Sequence, residues 1–339
     1  MGTNIYGDIS PRTAGFAVRK LLDRGQYLMV LERFGQVDPQ GQNKTKTRKW
    51  RRYNSLPRAT APLAEGISPA GQRLTYTDVN ATLEQYGDLV KISDVILDTH
   101  EDPVLDETVK IMGEQMAETV EVVRYNVVKA GTNVFYPAGA TTRIGLASPI
   151  TRAVLRQVVR SFNRNKARTI SEIVKASGLV STEPVAPSFF ALASTDLESD
   201  IRGITGFVPC EQYSNSDKAL PGEIGKVEST RFILSALLEP WLAAATSAST
   251  QSTYLSNGAV TASGSADVYP ILVIARDAYA IVPLQGKSAA SIAVVNPKPV
   301  HGDELGQSGF ASWKTYQTAA ILNQLFIARI EVCCTATPS

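Results

Sequence analysis

The chain has 339 residues, of which 44% are hydrophobic and 19% are charged. This length is enough for one large or two medium domains, and the composition excludes a disordered chain. The 34 basic and 32 acidic residues leave a net charge of +2, so the chain as a whole is not a polyelectrolyte. The low charged fraction indicates that partners cover part of the surface.

Residue types that carry chemistry are scarce. The three cysteines, Cys210, Cys333 and Cys334, cannot form a disulfide framework, which favours a reducing compartment. His100 and His301 are the only histidines. Two histidines are too few for a histidine-rich metal site and leave few options for histidine catalysis. We expect no enzyme activity, no cofactor and no metal. The first residues lack a secretory pattern, and no apolar run reaches the ~20 residues of a membrane span. We therefore expect neither a secretory signal nor a membrane span.

The first part of the chain is read as an arm followed by an extended excursion. Residues 1–43 contain one predicted short helix, about 17–34, between Gly- and Gln-rich flanks, and are interpreted as an arm. Residues 44–58 are basic and contain no acid, and Pro and Gly then interrupt the chain up to residue 71. The alternating pattern of 73–93 predicts strand. We therefore predict that 45–93 forms an extended excursion whose two arms pair as a ribbon.

Residues 102–130 predict a long helix that acts as a strut. Asp102 suits the N-cap and Pro103 the first helical position, and apolar residues follow at spacings of three and four. Gly131 is expected to end the helix in a left-handed conformation. At 1.5 Å per residue such a helix is ~40 Å long.

The charges of the ribbon and the helix are complementary. Residues 78–121 carry twelve acids against only Lys91 and Lys110. A basic ribbon beside an acidic helix would pair within one chain or between two, and such complementarity sets register and assembly rate. Trp50 and Tyr53 also allow a nucleic-acid interpretation of the basic run. We favour pairing between subunits, with bases of the ribbon on one side and acids of the long helix on the other. The bases are Arg48, Lys49, Arg51 and Arg52, and the acids, called the spine acids below, are Glu107, Glu114 and Glu118.

A second helix is predicted at about 148–166, with an arginine at every fourth position of one side. This arginine stripe comprises Arg152, Arg156, Arg160, Arg164 and Arg168. Like charges four residues apart repel, each pair by a few tenths of a kcal/mol. The stripe is read as a solvated face, or as a surface that faces the acidic helix or a polyanion such as packaged DNA.

From residue 187 onward the pattern becomes mixed α/β. Strands are predicted at 188–193, 231–237, 268–275, 278–284, 291–295 and at least 319–332, and a short helix at 196–201. The Ala/Ser/Thr/Gly-rich stretch 243–267 is predicted to be a flexible loop.

Candidate catalytic and metal-binding groups are weak. Asp98, His100, Glu101 and Asp102 include metal-ligand types, but consecutive residues cannot all face one ion, and acids before a helix complement its dipole. We favour capping over a metal site or a hydrolase built on Asp98 and His100. The run 222–226 resembles a phosphate loop, but its spacing is wrong and it lacks the Ser/Thr.

An ordered series of short matches resembles one family. The matching segments are 62–71 (PLAEGISPAG), 77–79 (TDV), 85–88 (QYGD), 94–96 (DVI), 100–103 (HEDP), 130–134 (AGTNV), 164–167 (RNKA), 222–225 (GEIG), 277–279 (DAY), 313–314 (WK), 320–324 (AILNQ) and 329–331 (RIE). In this order, from about residue 44 to 332, they resemble the N4-type major capsid proteins of tailed bacteriophages.

The resemblance implies an α+β architecture, the Hong Kong 97-like capsid fold. Its parts would be an N-arm at 1–43, an extended loop at 44–93 and a peripheral domain at 94–180, in which the long helix 102–130 is the spine helix. An axial domain at 181–300 and a return to the peripheral domain at 301–339 would follow. A Lys–Asn cross-link occurs in some such shells, but no residue here carries that feature over.

The resemblance also implies a function. The chain would form the hexamers and pentamers of an icosahedral phage head around double-stranded DNA, in the virion, after assembly in the bacterial host cytoplasm. Expected partners are further copies, a scaffolding protein, a portal, a decoration protein and DNA, with no membrane. The alternative is a protein that coats DNA through 44–58 and the arginine stripe.

Overall fold

The computed structural model describes residues 29–60, 62, 66, 68, 71–95, 104–175, 181–213, 220–246, 254–256, 265–285, 290–295, 297–299 and 305–336. Three α-helices lie in this part of the chain: α1 (Val104–Lys129), α2 (Arg152–Arg164) and α3 (Glu198–Arg202). Single 3-10 turns are found at Leu31–Arg33, Thr195–Leu197, Cys210–Gln212 and Gln324–Phe326.

Sixteen strands are assigned within the same residues. They are β1 (Gln36–Val37), β2 (Thr47–Tyr53), β3 (Tyr76–Thr82), β4 (Glu84–Ser93), β5 (Val134–Phe135), β6 (Ile170–Lys175), β7 (Ser181–Ser194), β8 (Phe207–Pro209), β9 (Glu223–Val227), β10 (Thr230–Ser235), β11 (Trp241–Ala245), β12 (Ala266–Ile274), β13 (Tyr279–Pro283), β14 (Ala290–Val295), β15 (Ser308–Ile321) and β16 (Ile327–Cys333).

A nine-stranded sheet forms the centre of the larger core. Its strand order is β5-β16-β12-β7-β10-β9-β8, with β11 beside β12 and β6 beside β7. Strands β7 and β10 run parallel, whereas β12 is antiparallel to both β7 and β16. Every residue of β12 is buried, as expected for a central strand that is covered on both faces.

The two faces of this sheet carry different helices. On one face, α2 buries Val154, Leu155, Val158 and Phe162 against alternate strand residues that include Phe189 and Ile271. On the opposite face, Tyr125 and Val128 of α1 pack with residues 30–34 against Phe190, Leu192 and Leu272. Because successive side chains of a strand point to opposite faces, α1 and α2 lie on opposite sides of the sheet.

Helix α1 connects this sheet to a second one. The second sheet has the order β1-β13-β15-β14, with β4 also paired to β15. Met112, Met116 and Val120 of α1 pack on Ala311 and Trp313 of β15. The spacing of three and four that predicts a helix thus places one apolar stripe on both sheets, and α1 is the predicted strut.

The excursion after residue 44 is only partly a ribbon. β2 and β3 form a separate two-stranded antiparallel sheet, called the ribbon below, with Thr47 opposite Thr82 and Tyr53 opposite Tyr76. The pairing changes at Leu83, which is 5% exposed, and β4 joins β15 over ten residue pairs. Residues 84–93 therefore belong to the second sheet. Their side chain Tyr86 packs in the apolar cluster between this sheet and α1.

Several predicted boundaries were wrong. The helix expected at 17–34 does not extend over 29–34, where a single 3-10 turn precedes β1; residues 17–28 are outside the described part. The expected loop 243–267 is strand at both ends, because Trp241 pairs with Val268 and Ala245 with Ala266. Strand is interrupted between Ile321 and Ile327 by a 3-10 turn.

The ends of both long helices also differ from the predictions. Asp102 and Pro103, the expected start of α1, lie outside the described residues. Gly131 is not left-handed, and its carbonyl instead accepts a hydrogen bond from Arg329 Nη1 at 2.9 Å. Helix α2 stops at Arg164, and Lys166 takes the left-handed conformation with φ 57°. Arg168 therefore lies beyond the helix and is not part of a helical stripe.

Candidate intersubunit surfaces

One face of the ribbon is fastened to the preceding segment. Arg48 forms a two-pronged ion pair with Asp38, with Nε–Oδ2 2.8 Å and Nη2–Oδ1 2.6 Å. The indole Nε1 of Trp50 donates to the same carboxylate at 2.9 Å. Both side chains lie on one face because they are two residues apart in β2. Asp38 thus holds the base of the ribbon, and Arg48 and Trp50 have roles within their own chain.

The other face of the ribbon carries an ion pair and an aromatic pair. Arg51 faces its cross-strand partner Asp78 with Nε–Oδ1 2.8 Å and Nη2–Oδ2 2.9 Å, and this hydrogen bonding lowers the pKa of Asp78. The guanidinium also lies 4.0 Å from the centre of the Tyr76 ring. Tyr53 and Tyr76 contact edge to face, at 6.3 Å between ring centres. Cross-strand pairs of this kind stabilise a two-stranded ribbon.

Two of the four predicted ribbon bases remain available to another molecule. Lys49 and Arg52 are exposed, and neither makes an ion pair with another residue of the described part of the chain. Lys49 does lower the pKa of Asp78 through its charge. Near the end of the ribbon, large apolar or aromatic side chains are also exposed, namely Tyr53, Leu56, Leu74 and Tyr76.

The predicted spine acids lie on α1 but differ in their surroundings. Glu107 is exposed and accepts from Lys110 Nζ at 2.6 Å, whereas Glu114 is half-buried and Glu118 is exposed. No ion pair joins these acids to the ribbon bases within the residues described here. The structure therefore does not bring the two predicted groups together inside one chain.

A polar chain that the sequence did not reveal fixes α1 to the second sheet. Gln115 Nε2 donates to Asp88 Oδ2 at 2.5 Å, and Trp313 Nε1 donates to Gln115 Oε1 at 3.0 Å. The hydrogen bond from Gln115 lowers the pKa of Asp88. Asp88 therefore positions α1, although the sequence grouped it with the acids of the strut.

The arginine stripe divides into two parts. Arg152 and Arg156 both donate to Glu228 Oε1 at 2.8 Å through Nε, and these bonds lower the pKa of Glu228. Glu228 belongs to the tight turn between β9 and β10, with φ 54°. Arg160, Arg164 and Arg168 are exposed. Arg160 and Arg164 lie on α2, on the side of the nine-stranded sheet that is opposite α1, so the acids of their own long helix cannot neutralise them.

Two buried ion-pair networks were not predicted from the sequence. Glu331, fully buried in β16, accepts from Arg143 at 2.7 and 2.8 Å and from Arg329 Nε at 2.9 Å. Glu223, 7% exposed, accepts from Arg231 at 2.5 and 2.6 Å and from the Tyr213 hydroxyl at 2.9 Å. Glu223 is the second residue of the run 222–226 that resembles a phosphate loop, and residues 223–226 of this run lie in strand β9.

The candidates for metal binding and catalysis fall in a part of the chain that the structure does not describe. Asp98, His100, Glu101, Asp102 and His301 all lie outside the described residues. Among the residues that the structure describes, no group of three or more metal-ligating side chains is found. None of the helices in the described ranges is long and apolar enough to cross a membrane.

Comparisons with known proteins agree with this architecture. Residues 76–323 match the family described as phage capsid protein. The structure resembles the capsid protein of cyanophage Pam1, with 13% identity, a TM-score of 0.63 and coverage of 93% of each chain. The capsid protein of Ralstonia phage GP4 has 10% identity and a TM-score of 0.63, with 90% of each chain covered.

A third similar structure is the capsid protein of cyanophage P-SCSP1u, with 11% identity, a TM-score of 0.58 and coverage of 90% of this chain and 88% of that one. The search of curated protein sequences finds no match. These likenesses confirm the predicted α+β, Hong Kong 97-like fold. Because the family match covers more than half of the residues, the chain belongs to the phage capsid protein family.

Proposed function

We propose that this chain is the major capsid protein of a tailed bacteriophage and that its copies assemble into the hexamers and pentamers of an icosahedral head. The family match over 76–323 carries this proposal. The ribbon supports it, because Lys49, Arg52 and an aromatic pair are exposed on an element whose base is fixed by Asp38. The role is structural, without catalysis, cofactor or metal. The division into N-arm, extended loop, peripheral domain and axial domain remains a prediction.

The partners follow from the same proposal. Copies of the chain contact one another, a scaffolding protein and a portal take part in assembly in the host cytoplasm, and a decoration protein binds the outer surface. The finished shell is the virion capsid and encloses double-stranded DNA. The capsid proteins of Pam1, GP4 and P-SCSP1u support self-association, since their structures are described as capsids.

The contact between subunits is proposed to join the ribbon of one copy to the spine of its neighbour. Of the predicted bases, Lys49 and Arg52 are the ones to form ion pairs with Glu107, Glu114 or Glu118 of the adjacent subunit, since Arg48 and Arg51 bind acids of their own chain. Exposed ion pairs are individually weak, at about 0–1 kcal/mol, but each recurs at every ribbon contact of a shell.

Charge reversal on the ribbon is expected to prevent shell formation. In K49E/R52E, two charges change sign at each contact, a net change of four units, and attraction becomes repulsion. Electron microscopy of the chain co-expressed with its scaffolding protein should reveal shells for the wild type and unassembled subunits for the variant. The charge-preserving variant K49R/R52K is the control and should form shells.

A charge exchange makes this test specific. Adding E114K and E118K to K49E/R52E should restore shells. Normal shells from K49E/R52E would reject the ion-pair contact. Dispersed wild-type monomers both with and without scaffolding protein would reject the capsid function itself, and would favour the alternative of a DNA-coating protein.

We further propose that Arg160, Arg164 and Arg168 face the packaged DNA. The exposure of all three, and the position of Arg160 and Arg164 on α2 across the nine-stranded sheet from the acidic α1, support a polyanion as their partner. Arg152 and Arg156 belonged to the same predicted surface, but Glu228 binds both and reduces the charge that they offer to phosphate.

Removal of the three exposed arginine charges is expected to reduce the salt dependence of DNA binding. Each phosphate contact contributes about 0.9 to the slope of log K against log salt, so R160Q/R164Q/R168Q should lower the slope for duplex DNA by 2–3 in magnitude. The matched control R152Q/R156Q, on the same helix, should lower it less. Fluorescence anisotropy on the unassembled chain measures both. Equal slopes for the triple variant and the wild type would contradict the assignment.

A further inference from the structure

A carboxylate of α1 caps a turn that is distant in sequence. Glu121 is 1% exposed, and its Oε1 accepts hydrogen bonds from the backbone N–H groups of Val30 at 3.1 Å and Leu31 at 2.9 Å. These two amides open the 3-10 turn Leu31–Arg33, where the turn itself offers no acceptor. Residues 29–34, called the anchor segment below, are thereby held on α1.

The anchor segment is the point at which the amino-terminal arm meets the core. Tyr279 Oη donates to the carbonyl of Leu31 at 2.5 Å, and Phe34 packs on Phe190 at 4.5 Å between ring centres. Gly35 then passes so close to β13 that a Cβ there would lie 2.7 Å from the side chains of Tyr279 and Ile281. The anchor segment is therefore held by contacts with α1, β7 and β13 together.

The carboxylate that holds this segment is not directly paired with a cation. Arg124, 4% exposed, directs Nη1 to Glu32 Oε2 at 3.3 Å. Arg33 donates instead to the carbonyl of Pro221 at 3.1 Å. Glu121 Oε2 and Arg124 Nε have no hydrogen-bond partner within the described residues. The charged and titratable groups facing Glu121 are thus Glu32, Arg33, Arg124 and Tyr279.

An ionised carboxylate in this position is disfavoured. Burial raises the pKa of Glu121 to about 7, and the charge of Glu32 adds to this, against the hydrogen bonds from Leu31 and Val30 and the charge of Arg124. Since the usual pKa is 4.5, the anchored state binds a proton more tightly than an open state in which Glu121 meets water. Anchoring is therefore strongest below pH 4.5, weakens as the pH rises from 4.5 to 7, and is constant above.

We propose that Glu121 is a proton-sensitive latch: its protonation tightens the anchor segment on the spine helix, and its ionisation loosens the segment. Any part that the latch plays in shell assembly rests on the proposed capsid function. The latch itself is a property of the single subunit.

Hydrogen–deuterium exchange of the full-length chain tests the latch at the amides that it holds. After correction for the intrinsic pH dependence of exchange, protection of a peptide covering 29–34 in the wild type should fall about 70-fold between pH 5 and pH 8. E121Q keeps an acceptor oxygen but cannot ionise, so its protection should not change with pH. The control E198Q alters an exposed acid on α3 and should keep the wild-type profile.

A wild-type profile that does not change with pH would overturn the proposal, as would an E121Q profile that falls like the wild type. If E121Q does not fold, NMR titration of the wild-type glutamate carboxyls decides, and titration of Glu121 near 4.5 would reject the latch. Exchange does not require shells. If the chain never assembles but its exchange still depends on pH, the capsid function is rejected and the latch is retained.

Discussion

Replacing Glu331 with alanine is expected to lower the free energy of unfolding by about 3–5 kcal/mol, the usual loss when one partner of a buried ion pair is removed. The carboxylate is fully buried, and it joins Arg143 of the loop after β5 to Arg329 of β16. Arg329 Nη1 also donates to the carbonyl of Lys129 at the end of α1. E331A therefore removes the carboxylate that balances two guanidinium groups at the junction of the spine helix and the nine-stranded sheet.

Urea denaturation of the unassembled chain measures this loss. The Trp241 ring lies 3.6 Å from the Arg143 guanidinium, so one of the three tryptophans that contribute to the fluorescence lies at the junction. The matched control is E198A, because Glu198 pairs with Arg202 one helical turn away at 2.8 Å while both side chains are exposed. Its cost should be below ~1 kcal/mol. Equal losses for E331A and E198A would show that burial of the network adds no stability.

The replacement of Phe162 with alanine is expected to cost a similar amount, about 3–5 kcal/mol. Phe162 is fully buried in the last turn of α2, and its ring lies 5.1 Å from that of Phe189 in β7. The truncation removes the apolar contact that holds the end of the helix on the sheet, and it leaves a cavity that the rigid strands cannot close.

The neighbouring position provides the control for this variant. Asn163 is exposed on the same turn, so N163A should change the unfolding free energy by no more than ~0.5 kcal/mol. Both variants are compared by urea denaturation, with the protection of amides in 152–164 as a local measure. A loss below 1 kcal/mol for F162A would mean that the end of α2 contributes little to the fold.

Patterns of local spacing predicted the two long helices, α1 and α2, although the helix expected at 17–34 is not found over residues 29–34. The spacing of apolar residues places α1 at Val104–Lys129, within the expected 102–130, because one apolar stripe must face the core. In α2 the same argument correctly puts the arginines opposite the buried residues. It failed at the end of this helix, where Lys166 turns left-handed and separates Arg168 from the stripe.

The strands were predicted only in part, since β6 and β11 were not expected. The pairing of β2 with β3 as a ribbon was predicted and is confirmed. The alternation in residues 73–93 is continuous, however, and nothing in it reveals that β4 leaves the ribbon and pairs with β15, more than 200 residues later. Register and partner are set by which side chains become buried, here Leu83 and Ile92. A single strand carries no information about the surface that covers it.

The candidate site was predicted by composition rather than by contact. The basic run and the acidic helix are both visible in the sequence, yet Arg48 and Arg51 turn inward to Asp38 and Asp78, and Arg152 and Arg156 bind Glu228. Charge counting cannot separate a base that pairs within its own chain from one that is free to pair elsewhere.

The family, the strut and the uneven distribution of charge can be predicted from the order of the amino acids, because they depend on local spacing and on the order of short segments. Which charges pair inside the subunit and which stay exposed depends on how the chain packs. Packing alone places Glu121 against the amides of Val30 and Leu31, about ninety residues away in the chain. The reason is physical: burial and hydrogen bonding determine the state of a charged group, and both arise only when distant segments pack together.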